Sequence, residues 1–331
     1  MKIESAMART LLRTAAFSGL LCLLVYAARV DGNNASSFDR SAFTVVLLPD
    51  TQKYTEAFPD IFVAQTAWVR RQAGEDNIKF AIHLGDITED NLKSEWKTAD
   101  TAMRQLEGVV PYSVLPGNHD GINNGPGTDR YNATFPPSRF ANRPWYGGHR
   151  GKTNDNNYCF LNAAGISFLI VSLEYGATDD VLAWANALVA KHRDKQVIVA
   201  THCYMYYDDT RLGPGDDYSP HEKSKKRNDG EQIWEKFIKR HRNIFLVVSG
   251  HVKGDGAGRL VSEGNAGNKV HQILANYQTL ENGGNGWLRT LKFVPEENEI
   301  RVTAYSPTLD EFNRDGEHSF VLDYDMGASK R

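Results

Sequence analysis

The feature that most constrains this chain is a repeated local pattern. Apolar, β-branched runs of strand length stop abruptly at small polar clusters. Such runs occupy 43–48, 78–84, 112–115, 166–173, 197–200, 244–248 and 270–275. Between them, helical periodicity fits 61–73, 92–107, 180–192 and 231–242, with Asp179 and Asp180 as caps for the third of these helices. Strands alternating with helices predict α/β layers around a largely parallel central sheet. The stretch 287–326 favours antiparallel strands that close a sheet. No internal repeat or interdomain linker interrupts 41–326, which reads as one domain followed by a short tail, 327–331.

Five of the runs end in chemistry. The clusters are Pro49-Asp50-Thr51-Gln52, Leu84-Gly85-Asp86-Ile87-Thr88-Glu89, Pro116-Gly117-Asn118-His119-Asp120, Thr201-His202 and Ser249-Gly250-His251. In open α/β sheets the carboxyl ends of strands share one edge, where ligands bind. Loops at one edge bring Asp50, Asp86, Asn118, His119, His202 and His251 together. Oxygen and imidazole ligands from separate loops suit Mn, Fe or Zn, and no Cys-x-x-Cys pair is present for a structural zinc. Gly85, Gly117 and Gly250 permit tight turns and close backbone approach. Each cluster alone has an ordinary explanation as a cap, a turn or a packed histidine. Five in this order do not.

The order and wording resemble the calcineurin-like metallophosphoesterase family over Asp50 to about Asp255, in the manner of an exported bacterial-type branch with Asp-x-Gln in place of Asp-x-His. The resemblance implies two mixed β-sheets packed as a sandwich flanked by helices, with a dinuclear metal site. Carried over by position, Asp50 binds the first metal and Asp86 bridges both, while Asn118, His202 and His251 complete the second. His119 then assists the leaving group, with Asp120 orienting its imidazole. The implied activity is metal-dependent hydrolysis of a phosphate mono- or diester by hydroxide generated at the metals. The physics agrees: two cations ~3.5–4 Å apart acidify a shared water and clamp a phosphoryl group. A neutral Asn118 oxygen leaves residual positive charge for an anionic substrate, and imidazole is matched to proton transfer near neutral pH.

Two departures fall at the first metal. Asp50-Thr51-Gln52 has an amide where the family has an imidazole, and Gly250-His251-Val252-Lys253 ends in an ammonium. A protonated lysine does not ligate a cation. Gln52 offers a carbonyl oxygen, which suits a harder ion such as Mn or Mg, and Asp255 is a substitute by spacing alone. The cofactor expected is therefore one or two divalent ions, with a weakened first site preferred over a lysine that replaces the metal. The alternative, from a different class, is a secreted phosphate- or metal-binding module with a degenerate, inactive site.

Charge and composition narrow the partners. With 38 Lys+Arg against 41 Asp+Glu, the formal charge of −3 supplies no attraction to nucleic acid. Lys2, Arg9 and Arg13 precede an uncharged apolar run over 15–27, which reads as a signal peptide over 1–27 followed by a polar linker over 28–40. Export to the periplasm or medium is expected, with no stable membrane anchor after cleavage. An uncleaved N-terminal anchor is the alternative. Cys159 and Cys203 can pair in an exported protein, although two buried thiols are the plainer reading. Asn34 and Asn132 head glycosylation triplets. The excursions 121–157 and 211–228 are read as irregular specificity loops, 282–286 as a hairpin turn, and 146–153 as a chance near miss of a phosphate loop. Tyr204, Tyr206 and Tyr207 are candidates to line the pocket, with core packing as the alternative.

Overall fold

β1 (Phe43–Leu48) is buried along its whole length because it has a packed layer on each side. Successive side chains of a strand point to opposite faces. Val45 and Leu47 accordingly enter one apolar cluster, and Val46 and Leu48 enter another. A strand covered on both faces reads as an unbroken apolar run, which is what 43–48 shows. Each fully buried Val or Leu contributes about 1.5–3 kcal/mol of transfer free energy.

The computed structural model describes residues 41–122 and 127–326. After β1 come β2 (Ile78–His83), β3 (Tyr112–Ser113), β4 (Tyr146–His149), β5 (Asn157–Ala163), β6 (Ile166–Leu173) and β7 (Gln196–Thr201). The remaining strands are β8 (Ile244–Ser249), β9 (Ala257–Glu263), β10 (Lys269–Ala275), β11 (Leu288–Val294), β12 (Glu299–Ser306), β13 (Glu311–Asn313) and β14 (Phe320–Asp323).

These strands form two seven-stranded sheets rather than one central sheet. The first runs β13-β12-β11-β1-β2-β3, with β14 also paired to β12. Its β1, β2 and β3 are parallel, and its C-terminal strands are antiparallel. The second runs β4-β5-β6-β7-β8-β10-β9, parallel through β6, β7, β8 and β10 and antiparallel at both edges. The alternation alone reads as one largely parallel sheet; the strands instead build two mixed sheets packed face to face, the sandwich that the family resemblance implies. Local pattern reports that a strand is buried on both faces but not which sheet it joins.

Between the sheets lies a core in which Val45, Leu47, Phe80, Ile82 and Phe293 meet Phe168, Ile170, Ile198, Leu246 and Ile273. The helices Pro59–Gln72 and Lys93–Met103 cover the outer face of the first sheet through Phe62, Val69, Trp96 and Ala99. Asp179–Lys191 and Gly230–Lys236 cover the second through Val181, Leu182, Ala185, Ile233 and Trp234. The last of these is capped by Asp229, which accepts from Gln232 N–H in a reciprocal capping box.

The packing also decides several smaller readings, revising some and bearing out others, among them the two buried thiols. Described parts of 121–157 hold short helices at Asp129–Thr134 and Pro137–Phe140 and the strand β4. The segment 282–286 is not a hairpin turn, because β10 and β11 belong to different sheets; it is a run of residues with positive φ, Asn282 to Gly286, packed closely on Lys53 and Tyr54. Cys159 and Cys203 are both buried free thiols. Asn132 already spends its side chain on Thr128, Asp155 and Asn154, so it is a structural tie and not an open acceptor for a glycan. Tyr204 is fully buried and donates to Gln272. The segments 1–27, 28–40 and 327–331, with Asn34, lie outside the described residues. No helix among the described residues is long and apolar enough to cross a membrane.

Candidate metal centre

All five polar clusters follow strands whose carboxyl ends converge, but on two sheets. β1, β2 and β3 deliver Asp50, Asp86 and Asn118–Asp120, while β7 and β8 deliver His202 and His251. A sandwich with two parallel cores has two such edges side by side, and the site forms where they meet.

The centre of the arrangement is His202 Nε2. It lies 3.1 Å from Asp86 Oδ2, 3.1 Å from Asn118 Oδ1 and 3.1 Å from His251 Nδ1. The opposite ring nitrogens are held by backbone: His202 Nδ1–H donates to Leu84 O at 2.8 Å and His251 Nε2–H to Tyr218 O at 3.1 Å. Those bonds select the tautomers that present His202 Nε2 and His251 Nδ1 inward. A single nitrogen cannot satisfy three neighbouring acceptors by donating one proton. The four groups therefore fit a shared divalent cation, for which two imidazoles, a carboxylate and an amide oxygen are a suitable donor set. Among the described residues, Asp86, His202 and His251 are the acid and histidine group close enough together to hold an ion.

The backbone is bent to achieve this. Asp86 has φ +44° and His251 φ +70°, left-handed conformations uncommon for residues with a side chain. Gly117 has no such φ; its role is space. A Cβ there would stand 2.1 Å from Asp86 Oδ1 and 2.2 Å from Asp86 N. Gly250 plays the same part against Asp50, whose Oδ1 would meet its Cβ at 2.2 Å.

Among these protein groups the charges sort unevenly. Burial works against a charge on His202, yet the Asp86 carboxylate outweighs it and raises the imidazole to about 9. Asp86 is opposed by burial too, but His202 draws it down to about 2. Burial, then the His202 charge, lowers His251 to about 3. A buried anion beside a buried cation is the balance that a metal ion replaces on binding.

Asp50 sits beside this group in different company. Its Oδ2 accepts from Asn276 Nδ2 at 3.2 Å and Gln278 Nε2 at 3.0 Å, and both oxygens face His251 N–H at 3.2 Å. Burial raises its carboxyl to about 7. Asn276 and Gln278 were missed by sequence reasoning. The signal was available, since Asn276-Tyr277-Gln278 follows β10 at the same edge as the cluster after β8. Gln52 donates through Nε2 to Glu89 Oε2, and its Oε1 is buried without a partner. Lys253 is exposed on the cavity wall. Asp255 is exposed and accepts from Ala257 N–H; it is not on that wall.

His119 opens onto the same cavity, and its Nδ1–H donates to Glu89 O at 2.7 Å. Asp120 does not orient it. That carboxylate is fully buried and accepts from Gly117 N at 2.8 Å, Ile87 N at 3.0 Å, Thr88 N at 2.9 Å and Thr88 Oγ1 at 3.0 Å. It ties the Asp86 loop to the Asn118 loop, so the expectation of an Asp120–His119 pair is corrected: a carboxylate one residue along a sharp turn points to the opposite side. The cavity holds about 370 Å³ and is lined by Asp86, Asn118, His119, His251, Lys253 and Gln278. The 211–228 excursion adds Asp217, Tyr218 and Lys223, and none of the lining residues comes from 127–157.

Residues 43–255 match the family model of calcineurin-like phosphoesterases. A Bacillus subtilis protein, YvnB, itself uncharacterised, is 34% identical over 283 residues, which is 83% of this chain and 20% of that protein. An Arcobacter nitrofigilis protein named "Probable glycerophosphodiester phosphodiesterase GpdQ" is 26% identical over 129 residues, 37% of this chain and 40% of that one. The chain thus matches well under half the length of either relative. Among solved structures, a yellow lupin purple acid phosphatase superposes with a TM-score of 0.55 at 12% identity, over 86% of this chain and 54% of that chain. A dimetal phosphatase from Danio rerio gives 0.51 at 14%, over 86% and 99%. At these identities the likeness is one of fold.

Proposed function

The chain belongs to the calcineurin-like phosphoesterase family, and we propose that it hydrolyses a phosphate ester with a divalent ion held by Asp86, Asn118, His202 and His251. The observation that carries this reading is the convergence of three ligand atoms within 3.1 Å of His202 Nε2, at the floor of a cavity open to substrate. The ion, when bound, supplies Lewis acidity toward the phosphoryl oxygen and lowers the pKa of water.

The protein's own groups do the rest. Leu84 O and Tyr218 O fix the two imidazoles, so no reorganisation is needed when the ligands engage. Glu89 O fixes the proton of His119 on Nδ1 and turns Nε2 toward the cavity, where an imidazolium delivers its proton to the departing alkoxide. Lys223 and Lys253 place two ammonium groups around an anionic substrate. Asp120 contributes by holding the two loops in register and does not meet the substrate.

The test is a panel of phosphate mono- and diesters assayed after chelation and again after adding Mn²⁺, Zn²⁺, Fe²⁺ or Mg²⁺. Turnover that disappears with the chelator and returns with the metal supports the proposal. Tight metal binding with no turnover on any ester favours a degenerate binding module. Export through residues 1–27 belongs to the same proposal, checked by sequencing the N-terminus of the mature protein.

A further inference from the structure

The family resemblance brings two cations, but the protein groups around Asp50 do not suit the first. Three observations coincide there. Asp50 lies outside the convergent group of Asp86, His202 and His251. Its carboxylate is enclosed by three N–H donors, two of them side-chain amides aimed at a single oxygen, while Gly250 packs against the other. Hydrogen bonds from amides offset part of the negative charge and occupy the oxygen lone pairs a cation would need, and here they come from a fixed loop. Asn276 N–H donates to Gly256 O, Gln278 N–H donates to Asn276 Oδ1, and Tyr277 Oη accepts from the buried Arg289.

The third observation is Lys253. It makes no hydrogen bond or ion pair among the described residues, stands exposed on the cavity wall, and occupies the position where the family has an imidazole ligand. An ammonium on a four-carbon stem is a mobile point charge suited to a phosphate oxygen. The sequence alone favoured a weak first metal position. The amide cage formed by Asn276 and Gln278 shifts that balance.

Resting on the site assignment above, we propose that this chain works with one divalent ion, and that Lys253 supplies the positive charge toward the substrate phosphate that a first metal ion would otherwise supply. The contrary donor is Gln52 Oε1, buried and without a partner. If it holds a second cation, binding stoichiometry will reveal it.

The experiment uses the full chain, stripped with chelator and titrated with Mn²⁺ by calorimetry, with bound metal counted by mass spectrometry. The expected result is one Mn²⁺ per chain. On the Mn²⁺-loaded protein, Lys253→Met should weaken binding of inorganic phosphate tenfold or more while the metal count stays at one. The double change Gln52→His with Lys253→His should raise the count toward two. Two Mn²⁺ bound by the unaltered chain overturns the inference, as does phosphate affinity unchanged in Lys253→Met. These readouts need no turnover. One bound Mn²⁺ and a phosphate site dependent on Lys253, in a protein inert toward every ester, would sustain this inference and defeat the proposed activity.

Discussion

His119 Nδ1 lies 2.7 Å from the carbonyl oxygen of Glu89, with the Glu89 carboxylate 4.0 Å from the same nitrogen. A carbonyl can only accept, so this nitrogen carries the proton and Nε2 is the atom offered to the cavity. Removing the imidazole should then depend on the leaving group. His119→Ala is expected to cost about 10²–10⁴-fold on alkyl esters, the usual range for general acid catalysis. Nitrophenyl esters, whose leaving groups need little protonation, should lose much less. Equal proportional losses on both would contradict the assigned role.

Asp120 is buried behind the cavity wall and holds two site loops together. Its carboxylate satisfies three buried backbone N–H groups and the Thr88 hydroxyl. Each donor left unsatisfied costs roughly 1–3 kcal/mol. Asp120→Ala should therefore lower unfolding stability by several kcal/mol in urea denaturation, with weakened Mn²⁺ binding. A variant of unchanged stability that loses only turnover would place Asp120 in the chemistry instead.

Gly117→Ala tests the same junction from the other side. The added methyl would meet Asp86 Oδ1 and Asp86 N at 2.1–2.2 Å, contacts the backbone cannot absorb without moving Asp86. Mn²⁺ affinity should fall more than tenfold by calorimetry. An alanine accepted with full metal affinity would show that the Asp86 loop is free to shift.

How far the sequence could be read depends on what each signal reports. The strand runs and the clusters at Asp50, Asp86, Asn118, His202 and His251 were legible because burial on both faces and abrupt polar stops leave local marks. The assignment of β1 and β7 to different sheets was not, since both read as continuous apolar runs. The roles of Asp120, Asn276 and Gln278 were hidden for another reason. Each depends on a side-chain direction set by the fold: Asp120 turns away from its neighbour His119, and Gln278 reaches a carboxylate 228 residues distant in sequence. The place of Asn276 and Gln278 after β10 marks the right edge, but it does not tell which group their amides face.

His83 carries the pH prediction. It is fully buried and accepts from Gly85 N–H through Nδ1, which leaves Nε2–H to donate to Thr51 Oγ1. Burial, then the His202 charge, lowers its pKa to about 3. An unfolded histidine titrates near 6.5. The native state thus binds fewer protons between these values, so stability from this group is complete above about pH 6.5 and falls as pH drops toward 3. His83→Gln should flatten the acid limb of stability against pH by up to about 1.4 kcal/mol per pH unit. Urea denaturation at several pH values between about 4 and 7 measures it. An unchanged slope would mean that other groups govern the acid transition.

The most direct test of the account is His202→Ala, assayed for bound Mn²⁺ and for phosphate-ester hydrolysis in the same preparation. His202 Nε2 is the atom around which Asp86, Asn118 and His251 gather. The prediction is joint loss, with metal affinity reduced at least tenfold and ester turnover reduced about 10³-fold or more at moderate metal concentration. A folded His202→Ala protein that hydrolyses the same esters at the rate of the unaltered chain would contradict it.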